Sequence, residues 1–265
     1  MRAKPYLLIT RNGIMANMAY RGHFFFSLAG TVVYLIITWF LWKAVYANGG
    51  NIGGLPFSRA YLYVGISMSL YGFMGTGTDW YLFNIVRRGD ILRYLTQPID
   101  FTTQFFASSL GDSVMSLMTI TLPALVISFI LSGSGLPALG NVLLFIPAVV
   151  MGFLLNFFID FITGLSVFLA QSISGIYQAK ETAVMVLSGA MVPLAFYPPG
   201  VRRILEWLPF QALYTTPARI LADGQAGLTE ALPFLLRQAG WLIAFFLLAR
   251  LLFSAGLKKL VVNGG

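Results

Sequence analysis

The chain has 265 residues, of which 58% are hydrophobic and only 10% charged, with a mean hydropathy of +0.80. A water-soluble domain carries about 25% charged residues, so there is too little charge here to wet a surface, and lipid must be the solvent for much of it. The net charge of +8 sits in short basic groups at helix ends, which argues against nucleic acid as a partner, and the lack of cysteine excludes disulfides, thiolate metal sites and cysteine nucleophiles.

In chain order, residues 1–22 read as a helix lying on the membrane. Leu7, Leu8, Ile14, Met15 and Met18 share a broad arc at 100° per residue, interrupted by Arg11. No cleavable signal peptide is expected, because Asn12, Gly13 and Asn17 break the apolar run that one needs. The single histidine, His23, has no histidine partners with which to build a metal site. Residues 24–46 form the first span, closed by an aromatic belt of Trp39, Trp42 and Tyr46. A Gly/Asn turn at 48–54 leads to a second span at 60–78, ending near Asp79 and Trp80. Residues 84–104 are polar and basic. The third span covers 106–131, a short uncharged turn 132–140, and the fourth span 142–171. At about 30 residues, roughly 45 Å, the fourth should tilt or project.

A polar turn is expected at 172–181 and a fifth span at 182–196, short for about 30 Å of hydrocarbon. Residues 201–232 mix apolar runs with Arg202, Arg203, Glu206, Pro209, Pro217, Arg219 and Asp223, and no run reaches spanning length. They read as two short helices that dip into the membrane or sit on its face, which demands packing against protein. The sixth span is 233–253, followed by Lys258 and Lys259. The expected fold class is therefore all-α integral membrane, one domain with six transmembrane helices.

Loop charges orient it. With the N-terminus in the cytoplasm, one side carries Arg2, Lys4, Arg11, Arg21, Arg87, Arg88, Arg93, Lys180, Lys258 and Lys259. The other carries Lys43, Arg59, Arg202, Arg203, Arg219 and Arg237, and ten against six puts both termini inside.

Motifs for chemistry are scarce. The G-x-x-x-x-G-K-[ST] loop is missing, and Gly75/Gly77 and Gly133/Gly135 lack the third glycine of a dinucleotide loop. No catalytic, cofactor-binding or metal-binding residue is assigned, and neither Asp79 nor Asp112 sits in a paired aspartyl-protease motif. Asn156 and Asp160 fall on one helix face, and a carboxylate there must face protein, water or a cation. Arg250 is its expected ion-pair partner by depth. Asp79 and Asp112 are expected at the interface, and Arg237 is expected to meet Glu230 or lipid headgroups. Gly65, Ser67, Ser69, Gly72, Gly75, Ser188 and Gly189 read as close helix packing rather than a lined path.

The most informative segment is Arg88-Gly89-Asp90-Ile91-Leu92-Arg93-Tyr94-Leu95-Thr96-Gln97-Pro98. Asp90 is an expected N-cap, Ile91 to Thr96 make one or two helical turns, and Pro98 stops them. On physics alone it equally suits an ordinary basic loop. The block R-G-D-x-x-R-Y-L-x-x-P resembles the cytoplasmic loop of ABC-2 type transporter permeases. So do Met191-Val192-Pro193-Leu194-Ala195-Phe196-Tyr197-Pro198, then Leu208-Pro209-Phe210 and Thr216-Pro217-Ala218, which in that family lead into extracellular re-entrant helices. The likeness covers nearly the whole chain.

The resemblance implies a dimer with a second permease copy or a homologue, in a bacterial-type plasma membrane. It implies that a separate cytoplasmic nucleotide-binding ATPase subunit binds ATP and Mg, so that this chain is not itself an enzyme. It implies export of an amphipathic, lipid-like, drug-like or polymeric substrate. Residues 1–22 then serve as the cytoplasmic interface helix and 84–104 as the coupling loop, with Arg88, Asp90, Ile91, Leu92, Arg93 and Leu95 as ATPase-coupling residues. Residues 197–232 become the extracellular re-entrant segment. The rivals are an ion-gradient-driven secondary transporter or channel, which would favour more buried carboxylates and repeat symmetry, and a membrane enzyme or scaffold.

Overall fold

A computed structural model describes residues 4–18, 21–47, 50–223 and 227–258. The expectations for Arg2 and Lys259 lie outside these residues, as do those for the side chains of Arg21 and His23 and parts of the 48–54 and 197–232 segments. The described chain is helical throughout its ordered elements: α1 Lys4–Met18, α2 Arg21–Val45, α3 Phe57–Met74, α4 Thr78–Arg87, α5 Ile91–Leu95 and α6 Phe101–Ser116. There follow α7 Leu122–Ser132, α8 Leu139–Gly164, α9 Ser174–Leu187, α10 Pro199–Leu205, α11 Thr215–Ala222 and α12 Leu228–Leu257.

Among the described residues, four stretches are long and apolar enough to cross a membrane: Phe24–Val45, Phe101–Ser132, Leu139–Phe168 and Leu228–Leu257. They correspond to the expected first, third, fourth and sixth spans. The third is continuous through a π-helical turn at Leu117–Thr121, immediately before Pro123. Proline brings no N–H and would press its ring on the carbonyl of residue 119, and a wider turn relieves both problems.

The segments expected as second and fifth spans behave differently. α3 is less apolar than the four but is buried along most of its length, so Tyr61, Leu62, Ile66, Leu70 and Met74 form the centre of the main core. Its helix stops at Gly75, and Gly77, at φ +60°, starts α4. The residues around Asp79 therefore open a new helix rather than ending the span. The turn expected at 172–181 is not one, since α9 starts at Ser174 and carries Lys180 and Glu181 within it. It ends at Leu187, well short of residue 196.

Small residues set the closest approaches. A Cβ on Gly111 would lie 2.7 Å from the Thr10 carbonyl and 3.0 Å from Gly13 Cα, so α1 lies directly on α6. Thr10 Oγ1 donates to the Ala107 carbonyl at 2.8 Å, and Asn17 Nδ2 to Asp112 Oδ1 at 2.5 Å. Leu7, Leu8, Met15 and Met18 stay exposed on α1, whereas Ile14 of the same arc is partly buried. A Cβ on Gly65 would meet Ser128 Oγ at 2.7 Å, which makes the expected packing role of that glycine concrete at α3 and α7.

α10 and α11, of 7 and 8 residues, reach only about 10–12 Å each and cannot cross a bilayer. The stretch from Ala212 to Ala222 is nevertheless buried in the bundle, with Leu213, Tyr214, Ala218 and Leu221 joining the α3 core. Buried Gln238 of α12 fastens it, donating to the Ala148 and Ala212 carbonyls at 2.7 and 2.8 Å. This placement satisfies backbone that lipid could not.

Candidate coupling element and buried charge cluster

The 84–104 region is a folded lever rather than a loose loop. α4 runs to Arg87, Gly89 turns the chain at φ +79°, and α5 follows. Ile91 is 1% exposed and sits in a second core with Leu82, Ile85, Phe101, Phe105, Phe157 and Phe161. Tyr94 packs on Phe101 and Phe105 and shares a 2.7 Å hydrogen bond with Tyr81. Arg87 donates to the Gln171 carbonyl at 2.9 Å. One face of the lever is thus rooted in α4, α6 and α8.

The other face is free. Arg88, Asp90, Leu92, Arg93 and Leu95 are exposed, and the side chains of Arg88, Asp90 and Arg93 make no hydrogen bond or ion pair among the described residues. Arg88, Asp90 and Arg93 rim a groove of about 370 Å³ whose wall is Tyr81, Asn84, Ile85 and Tyr94. Two expectations are corrected. Ile91, expected among the ATPase-coupling residues, is an anchor inside the protein and does not share the exposed face of Leu92 and Leu95. Asp90 has helical dihedrals, φ −66° and ψ −11°, and its side chain accepts no capping bond. The cap belongs to Asp100, whose Oδ1 accepts from Thr103 N at 2.8 Å and Thr103 Oγ1 at 2.7 Å at the start of α6.

Asp100 also holds Arg250, with Nη1 to Oδ2 at 3.2 Å. Partial burial pushes the Asp100 carboxyl up, but the Thr103 bonds and the Arg250 charge outweigh it and hold the group below its ordinary value. Arg250 is therefore not the partner of Asp160. That expectation fails because Lys180, hidden in the supposed polar turn, reaches Asp160 first.

Lys180 Nζ lies 2.8 Å from Asp160 Oδ1, 2.9 Å from Asp79 Oδ2 and 2.5 Å from Glu181 Oε1. The Lys180, Asp79 and Asp160 side chains are 10%, 1% and 2% exposed. Asp79 is thus buried in protein. Asp160 Oδ2 accepts from Thr76 Oγ1 at 2.6 Å and from Asn156 Nδ2 at 3.3 Å, so the expected shared face of Asn156 and Asp160 is used. Tyr71 donates to Glu181 Oε2 at 2.7 Å. The groups line a cavity of about 210 Å³ between α3, α4, α8 and α9. Three carboxylates this close are the donor set of a cation site, with oxygens within 4.8 Å of one another, and the Lys180 ammonium takes the central place. Compensated in this way, the charges become tolerable at depth.

Arg237, expected to meet Glu230 or lipid, instead donates to the Glu206 carbonyl and lies over Trp207 at 4.5 Å. Asp112 is exposed beside α1.

A helical bundle with four stretches long and apolar enough to cross a membrane, and with its most buried carboxylates bridged by a lysine, is a multi-pass membrane protein. The model of the ABC-2 family transporter protein family matches residues 32–264, and the chain belongs to that family. No curated protein gives a significant match.

Proposed function

We propose that the chain is the permease subunit of an ATP-driven exporter, paired with a second copy or a homologous permease. A separate cytoplasmic ATPase would bind ATP and Mg and dock on α5. In this reading α3 and the stretch from α9 through residue 196 complete six crossings, both termini and α5 are cytoplasmic, and 197–232 forms an external re-entrant hairpin. The substrate class is amphipathic, lipid-like, drug-like or polymeric.

The observation that carries the coupling role is the two-faced lever. Its inner face, Ile91 and Tyr94, is locked to three other helices, while Leu92 and Leu95 are exposed near the unpaired Arg88 and Arg93. A push on such an element moves the helices behind it, whereas a flexible loop would absorb it. Covering each exposed leucine is worth roughly 1.5–3 kcal/mol at most. Leu92→Ser with Leu95→Ser should release a copurifying ATPase and leave membrane insertion intact. Full retention of the ATPase by this variant would refute the docking role. An ion-gradient-driven transporter or channel is disfavoured, because the acidic cluster that would serve it is already bridged by an internal lysine.

A further inference from the structure

A second polar pocket lies at the other end of α3, about 12–20 Å along the helix from the lysine cluster. Its volume is about 160 Å³, well above the roughly 10–15 Å³ that one water needs. Three arginines converge on it from separate elements: Arg59 from α3, Arg202 from α10 and Arg219 from α11. Two carboxylates share the site, and each is engaged within its own segment. Arg202 Nε meets Glu206 at 2.8 Å, and Arg219 Nε meets Asp223 at 3.5 Å. Arg59 has no hydrogen-bond or ion-pair partner among the described residues. The pocket thus holds three guanidinium groups against two carboxylates and carries one uncompensated positive charge.

The walls are built closely. Gly53, at φ +59°, leaves no room for a side chain, since a Cβ would lie 2.6 Å from the Ala195 carbonyl and 2.8 Å from the Phe196 ring. That contact clamps the loop before α3 to the turn before α10. The floor is Tyr63, which shares a hydrogen bond with Thr215, and Thr215 Oγ1 donates to the Ser188 carbonyl at 2.5 Å. The arginines are therefore presented by a fixed scaffold. The same end carries the aromatic groups of a membrane interface. Trp42 packs on Phe196 at 5.2 Å, Trp39 on Phe57 at 6.3 Å, and Tyr46 donates to the Leu55 carbonyl at 2.9 Å. Such belts sit at headgroup depth.

We propose that this pocket binds a phosphate-class oxyanion, with Arg59 as the principal contact and Arg202 and Arg219 completing the charge. A guanidinium fork matches two oxygens of a phosphate, and the single excess positive charge suits one anionic group. A lipid headgroup at that depth and a soluble phosphate share this chemistry. The site does not depend on which side of the membrane it faces, nor on how the ATPase docks.

The test uses full-length protein in an uncharged detergent. Thermal unfolding midpoints are titrated in one arm with sodium phosphate against sodium chloride at equal ionic strength. The other arm titrates phosphatidylglycerol into the micelles. At least one ligand should raise the midpoint, and Arg59→Gln should weaken its apparent affinity about tenfold or more, as losing a charge-assisted contact implies. Arg203→Gln, exposed and outside the pocket, should leave it unchanged. A response to phosphate assigns a soluble ligand, and a response to phosphatidylglycerol alone assigns a headgroup. Should Arg59→Gln not fold, Arg59→Lys, which keeps the charge without the fork, should still bind several-fold more weakly. No midpoint change with either ligand, or equal weakening by Arg203→Gln, overturns the proposal.

Discussion

Lys180→Met removes the ammonium shared by Asp79 and Asp160 without changing the length of the side chain much. Both carboxylates are nearly sealed, at 1% and 2% exposure, so the loss is not screened by water. Asp160 would keep the Thr76 hydroxyl and the Asn156 amide, whereas Asp79 would keep only the backbone N–H of Trp80 at 2.8 Å. Breaking a buried pair by deleting one partner costs about 3–5 kcal/mol, and the third contact, to the more exposed Glu181, adds little. Adding Asp160→Asn should return about 0.5–3 kcal/mol of the loss, the range of coupling between directly interacting groups. The assay is reversible unfolding in mixed micelles over the four-member cycle. A parallel cycle of Asp160→Asn and Arg250→Gln should show additivity to within about 0.5 kcal/mol, because Arg250 bonds Asp100 instead. Stability of Lys180→Met near that of the parent, or additivity in the Lys180 cycle, would refute the reasoning.

Ile91→Ser should destabilise the permease itself by about 1.5–3 kcal/mol, in contrast to serine at Leu92 or Leu95, and unfolding of the three variants separates anchor from surface. Gly111→Val should lever α1 off α6, since its Cβ would fall 2.7 Å from the Thr10 carbonyl, and a single cysteine at Thr10 should then label faster with a water-soluble maleimide. Asp100→Ala should cost about 0.5–2 kcal/mol at neutral pH as a lost cap. The Asp100 carboxyl is held below its unfolded value of about 3.9, so its contribution is present above that pH and fades as pH falls through the lower folded value. The variant should therefore lose part of the acid limb of the parent's stability profile.

Much of the architecture was legible because hydropathy reports lipid exposure directly. The first, third, fourth and sixth spans are long apolar runs, and their helices appear within a few residues of the expected places. The second and fifth were harder for opposite reasons. α3 is wrapped by protein, so Tyr, Ser and Gly are admissible and the lipid signal weakens. α9 was misread because Lys180 and Glu181 look like loop charge until Asp160, twenty residues upstream, and Asp79, a hundred upstream, are placed beside them. Nothing local encodes that meeting.

The cap at Asp100 did have a local signal. Asp100 precedes Thr103 and an apolar run, whereas Asp90 follows a glycine turn that leads straight into a helix of 5 residues. Within the lever, exposed Leu92 and buried Ile91 are neighbours in sequence and opposite in role. A five-residue helix is too short for periodicity to say which face is rooted.

The most direct measurement is cross-linking from a single cysteine at Arg93, which is feasible because the parent has no cysteine. The native membrane supplies any partner. A photoactivatable maleimide at this position should capture a nucleotide-binding ATPase in a covalent adduct, and the same probe at the exposed Asn51 should not. Labelling of Arg93 by an impermeant reagent from outside intact cells, with no ATPase adduct, would contradict both the orientation and the docking role.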